Sequence, residues 1–173
     1  MYKIFRPKAY SKNIYEINYD KLKKNGIKCL LFDLDNTISP EYEILLNEKI
    51  KTFLNNLKKD FKVIIISNNF PHRLKKFGDY YDVDVLSLSL KPLLYKYIYV
   101  LLKYKFKRCE VAAVGDQLVT DILGGNKIGI KTILVDPITN KDGKATFLNR
   151  KIEKRIYKYF KENNILEKGK YYD

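Results

Sequence analysis

The feature that most constrains this chain is a repeat of short apolar runs separated by longer amphipathic ones. Residues 28–33 (KCLLFD), 62–67 (KVIIIS), 83–89 (VDVLSLS), 110–116 (EVAAVGD) and 131–136 (KTILVD) have the length and apolar content of strands. Several are apolar at consecutive positions, as in a sheet covered on both faces. Between them, 47–59, 71–79, 92–104 and 120–127 carry helical periodicity, with Pro71 and Pro92 suited to a helix's first turn. Repetition of this kind predicts an α/β fold: a doubly wound parallel sheet with right-handed crossovers, whose ligands sit beyond the carboxyl ends of the strands. At 173 residues the chain reads as a single domain. A basic N-terminal arm (about residues 1–26) and a basic C-terminal helix (about 147–163) flank the repeats.

Composition removes several classes. Cys29 and Cys109, with only His72 beside them, are too few for a disulfide framework or a zinc site. The N-terminus is basic without an apolar segment after it, and no window approaches the ~18 uninterrupted apolar residues of a membrane span. The expected setting is therefore the cytoplasm, with peripheral attachment to the inner face of the membrane as an option. A net charge of +14, from 34 Lys plus Arg against 20 Asp plus Glu, favours an anionic partner: a lipid headgroup, a nucleic acid or another phosphorylated substrate.

The strand ends supply the chemistry. The first apolar run stops in Asp33-Leu34-Asp35-Asn36-Thr37 and the second in Ser67-Asn68-Asn69; the third is followed by Lys91-Pro92, and the fourth ends in Gly115-Asp116, with Asp121 after it. In a parallel sheet these ends meet at one edge. Alternation along an extended chain puts Asp33 and Asp35 on one side. Four acids in one place, Asp33, Asp35, Asp116 and Asp121, repel unless a hard divalent cation and a lysine neutralise them, and Mg²⁺ suits an all-oxygen donor set. A carboxylate is a competent nucleophile toward phosphorus. Lys91 with a metal would hold the phosphoryl oxygens, Ser67 and Asn68 would orient them, and Asp35 would act as general acid and base.

In DLDNT, ISNN, LKP and GDQLVTD, taken in that order, the sequence resembles the haloacid dehalogenase (HAD) superfamily of phosphatases. NIYEINYDKLKKNGIKCLLFDLDNT, GDQLVTDILGGNKIGIKTILVDP and Thr146-Phe-Leu-Asn-Arg150 narrow this to the YqeG-type branch of subclass IIIA, similar to mitochondrial phosphatidylglycerophosphate phosphatase. The resemblance implies a Mg²⁺-dependent hydrolase acting through an aspartyl-phosphate, with Asp33 as nucleophile, Asp35 as acid and base, Ser67 and Lys91 on the phosphate, Asp116 at the metal, and Asp121 binding the metal directly, through water, or holding the lysine. It also implies phosphatidylglycerophosphate as substrate, at an anionic membrane surface.

Spacing adds that Thr37 to Ser67 and Ser67 to Lys91 leave no room for a cap domain, so the expected architecture is capless. An uncovered site suits a substrate too large to engulf, or one whose own surface supplies the lid. A headgroup in a bilayer fits. A nucleic-acid end, a sugar phosphate or a phosphoprotein handled by a soluble enzyme is the alternative. For membrane contact the candidates are Lys3, Arg6, Lys8 and Lys12 of the arm and Arg150, Lys151, Lys154 and Lys158 of the helix. Gly124, Gly125 and Gly129 read as a helix stop, and His72 as an exposed helix residue.

Overall fold

The computed structural model describes residues 2–40, 46–139 and 144–171. Among these, six strands form one all-parallel sheet: β1 (Ala9–Ser11), β2 (Cys29–Phe32), β3 (Lys62–Ile66), β4 (Asp84–Leu86), β5 (Val111–Gly115) and β6 (Lys131–Val135), in the order β1-β6-β5-β2-β3-β4. The helices are α1 (Tyr19–Lys24), α2 (Glu48–Lys58), α3 (Pro71–Tyr81), α4 (Tyr95–Lys103), α5 (Leu123–Ile128) and α6 (Lys144–Glu162). The expected α/β doubly wound parallel sheet is what the chain adopts. Between β2 and β3 the described residues hold α2 as their one helix, and between β3 and β4 they hold α3.

The double-sided apolar strands explain the layers. Leu30 and Phe32 of β2, with Val63, Ile65 and Val114, pack under Leu22 of α1, Leu54 of α2 and Phe77 of α3. The alternate residues Cys29 and Leu31, with Ile64, Ile66 and Ala113, pack under Tyr97 and Val100 of α4 and Ile128 of α5. Farther along that second face, Ile156 and Phe160 of α6 close over Leu134, Leu118 and Ile122. Burial of the Cys29 thiol pushes its pKa up to about 12, which keeps it unreactive.

Chain direction fixes where the site must be. From β2 the chain builds outward through β3 to β4, then α4 returns it to the other side of β2 as β5 and β6. The strand order therefore reverses between β2 and β5. Two loops leave in opposite directions there and open a crevice at the carboxyl ends.

Several local expectations are corrected. The run 83–89 is a strand only over Asp84–Leu86, because Leu88 and Leu90 take positive φ (48° and 49°) and turn the chain toward β3. That turn is tied by Leu88 N–H to Asn69 O (2.9 Å) and Ser89 N–H to Ser67 O (3.0 Å). α4 begins at Tyr95, so Pro92 lies in the preceding turn and not in the helix. Gly129, at φ 80°, is the helix stop. Gly124 and Gly125 lie inside α5, where an added Cβ would come within 2.9 Å of the Tyr97 ring and 2.5 Å of Thr132. They are small for close packing. The N-terminal arm contributes an edge strand: β1 runs parallel to β6, and Tyr10 Oη donates to Asp136 Oδ1 at 2.6 Å.

Candidate active site

Asp33 is the first residue beyond β2, and its N–H still bonds Val114 O of β5 at 2.9 Å. The backbone then folds back on itself: Thr37, Ile38 and Ser39 all donate to Leu34 O, and Asn36 sits at φ 58°, a conformation that Asn tolerates well. β2 therefore ends at Phe32, and the strand alternation expected to carry through Asp35 stops short of it.

Asp121 is delivered differently. Leu118–Ile122 is a single π-type turn, with Asp121 N–H and Ile122 N–H both bonded to Gln117 O. The turn swings Asp121 back over Gly115, where a Cβ would meet Asp121 Cγ at 2.3 Å. Only a glycine at the end of β5 leaves space for this carboxylate.

The result is a buried trio. Asp33, Asp116 and Asp121 each offer a carboxylate oxygen within 4.8 Å of the others. Lys91 reaches into it, with Nζ donating to Asp33 Oδ1 (2.6 Å), Asp121 Oδ1 (2.6 Å) and Ile66 O (3.0 Å). Burial opposes the ammonium charge, but Asp121 and Asp33 outweigh it and hold the Lys91 pKa above its ordinary value. Burial likewise drives Asp33 well above the usual carboxylate range. Lys91 pulls it down, and the neighbouring acids push it back up. Asp116, also buried, rises from 3.8 to about 7 for the same first reason, with Asp121 adding repulsion and Arg150 opposing.

Asp35 stands beside the trio and not in it. Its Oδ1 pairs with Arg73 of α3, and its Oδ2 accepts from Asn69 Nδ2 and, at 3.4 Å, from Ser67 Oγ. Asn68 is a clamp for the lysine loop: its Oδ1 accepts from Lys91 N–H and Ser89 Oγ, both at 2.7 Å, and its Nδ2 donates to Lys91 O at 3.3 Å.

Four participants were not read from the sequence. Arg150 of α6 pairs with Asp116 and also donates to Asp116 O at 3.3 Å. Glu153 fixes that arginine (3.0 Å) while accepting from Val119 N–H at 3.1 Å. Arg73 and Asn69 hold Asp35 as above. Arg150 belongs to the Thr146–Arg150 stretch that carries the family resemblance, but it was expected to contact the membrane; its spacing of three from Glu153 on a helix is what lets the two share a partner.

The donor set fits a hard cation. Three buried carboxylates with no nitrogen or sulfur ligand among them match the oxygen preference of Mg²⁺ and offer little to zinc or copper. A parallel sheet with buried acids and a buried lysine at its switch point defines a phosphatase of the haloacid dehalogenase type. The HAD-hydrolase YfnB of Bacillus subtilis, solved bound to magnesium, shares the fold at a TM-score of 0.51 and 17% identity, over 69% of this chain and 91% of that one. Residues 2–139 match the family described as mitochondrial PGP phosphatase, and the chain belongs to that family. "Probable phosphatase YqeG" of Bacillus subtilis is 32% identical over 166 residues, covering 95% of this chain and 96% of the relative. Phosphatidylglycerophosphate phosphatase 1, chloroplastic/mitochondrial, of Arabidopsis thaliana is 25% identical over an alignment of 146 residues that covers 79% of this chain and 42% of that longer protein.

Proposed function

We propose that this phosphatase is Mg²⁺-dependent and converts phosphatidylglycerophosphate to phosphatidylglycerol through a phosphorylated Asp33. The observation that carries the reading is the lysine-bridged acid trio at the carboxyl edge of the sheet. The substrate is supported by the family match and by the Arabidopsis relative's name, and the metal by the donor set and by the magnesium in YfnB.

Asp33, Asp116 and Asp121 would hold the cation, which when bound supplies positive charge against the phosphoryl oxygens. A carboxylate oxygen of Asp33 attacks phosphorus, and the bond to the glycerol oxygen breaks. Protonated Asp35 gives that oxygen its proton. Asp35, now ionised, takes a proton from water, whose oxygen attacks phosphorus and breaks the bond to Asp33, releasing phosphate. Lys91 and the Ser67 hydroxyl orient the phosphoryl group, and Asn68 holds the lysine loop in register. Asp35 stands beside the trio and not in it, which leaves it to proton transfer; its contacts with Arg73 and Asn69 hold the carboxylate at that place and open when it takes up the proton.

The test is direct. Purified protein with Mg²⁺ is offered phosphatidylglycerophosphate, 3′-phosphorylated DNA and small phosphomonoesters, and phosphate release is measured. Preferential formation of phosphatidylglycerol supports the reading. Turnover of DNA ends with no attack on the lipid would overturn it.

A further inference from the structure

Four of the eight basic residues expected to meet a membrane are placed elsewhere. Lys3, Arg6 and Lys8 precede β1, beside the Gly129–Ile130 entry to β6, and so lie at the amino-terminal edge of the sheet, opposite the acids. Arg150 is committed to Asp116. A different surface adjoins the site. Among the described residues, seven of the thirteen exposed large apolar side chains fall between Leu88 and Leu102.

These form one surface. On α4 the exposed Tyr95, Ile98, Tyr99 and Leu102 follow i, i+3, i+4, i+7 spacing, a full apolar stripe on the side away from buried Tyr97 and Val100. The stripe runs into the lysine loop: Tyr95 Oη donates to Leu88 O, and Leu93 N–H donates to Leu90 O at 2.9 Å. Leu90 and Leu93, 55% and 57% exposed, flank Lys91, whose ammonium is in the acid trio. Apolar surface thus continues from the outer face of α4 to the lip of the site.

Charge selects the occupant. From Val85 to Cys109 the chain contains no acid, while Lys96, Lys103, Lys105, Lys107 and Arg108 are all basic. Lys96 and Lys103 lie over the Tyr95 and Tyr99 rings, 5.4 and 5.5 Å from their centroids. A second copy docked on this face would bring like charges together. A bilayer of anionic lipid meets both demands, since tyrosines favour the interface, leucine and isoleucine enter the acyl boundary, and lysines reach the headgroups.

We propose that the outer stripe of α4 and the Leu90–Leu93 lip dock this phosphatase on an anionic bilayer, with the helix lying in the interface and the site mouth at one end of it. The inference rests on the lipid reading only for its purpose; the docking itself is measured without turnover.

The chain has no tryptophan, so Leu102→Trp gives a clean probe. Its emission should shift to the blue when phosphatidylcholine vesicles containing phosphatidylglycerol are added, and the emission of Ile152→Trp in α6 should not. In parallel, Ile98→Gln with Leu102→Gln, which leaves charge unchanged, should weaken co-sedimentation with those vesicles about tenfold or more. Hydrolysis of para-nitrophenyl phosphate should stay at the wild-type rate. Unchanged vesicle binding, or a Leu102→Trp shift produced by raising protein concentration without vesicles, overturns the proposal, the latter in favour of a second copy. If vesicle binding depends on the stripe but neither vesicular nor short-chain phosphatidylglycerophosphate is hydrolysed, the docking stands and the substrate reading falls.

Discussion

Arg150 of the C-terminal helix is ion-paired with Asp116, the acid that follows β5, across 34 residues of sequence. The carboxylate is wholly buried and the arginine side chain is 15% exposed, so solvent screens the pair weakly. Removing the arginine leaves a buried acid with less compensation. Arg150→Met should lower the stability of the metal-free protein by roughly 3 kcal/mol. If the same acid binds metal, saturating Mg²⁺ should restore part of that loss, and restore more of it than the wild type gains. Thermal melts of both proteins with and without Mg²⁺ read this out, and an equal Mg²⁺ increment in the two would detach Asp116 from the metal.

Asp33→Asn keeps the shape of the side chain while removing the attacking oxygen's charge. Turnover should fall by about a thousandfold or more with the circular dichroism spectrum unchanged. Asp35→Asn should also be inactive or nearly so, and where a leaving group departs unaided it should accumulate phosphorylated protein. Mass spectrometry of that variant should find the phosphoryl group on Asp33. Label on Ser67 would discard the covalent scheme.

Gly115 shows how tightly the acids are seated. A methyl group there would stand 2.3 Å from Asp121 Cγ, so Gly115→Ala must push the carboxylate off Lys91. Activity should drop by at least about a hundredfold, since a misplacement on the order of 1 Å costs that much, and the melting temperature should fall as the Lys91 contact is lost. A variant with wild-type kinetics would mean that the turn at Leu118–Ile122 shifts freely, contrary to its two bonds to Gln117 O.

What the sequence revealed, and what it hid, follows the range of each interaction. Consecutive apolar residues in β2, β3 and β5 announce a sheet buried on both faces, and acids at the ends of such strands are legible because nothing local rewards them. β1 was hidden: three residues at an edge carry no period, and their placement depends on register with Ile133–Val135. The overlong reading of β4 came from real alternation in VDVLSLS, broken by a turn whose cause lies in Ser67, Asn68 and Asn69, some 20 residues away. Arg150 read as a surface charge because only the folded α6, anchored through Glu153 to Val119 N–H, aims it at Asp116. Asp35 was grouped with the other acids by strand alternation that the backbone abandons after Phe32.

Burial raises the pKa of Asp116 from 3.8 to about 7 and that of Asp33 well above its ordinary value in the metal-free protein. In the unfolded chain both release their protons near pH 4, so the folded form holds protons that the unfolded form has lost. Their favourable contribution is fully present below the unfolded pKa and is lost as pH rises through the folded one. Through Asp116 the metal-free protein should therefore lose stability between about pH 4 and pH 7, and Asp33 acts in the same direction. Mg²⁺ must displace the same protons, so its stabilising increment should grow over that window. Melting temperatures with chelator and with saturating Mg²⁺, taken from pH 5 to pH 8, should diverge as pH rises, and Asp116→Asn should flatten the chelator curve. Parallel curves would show that the protons bound by these acids are not those the metal displaces, and the trio would lose its assignment as the Mg²⁺ site.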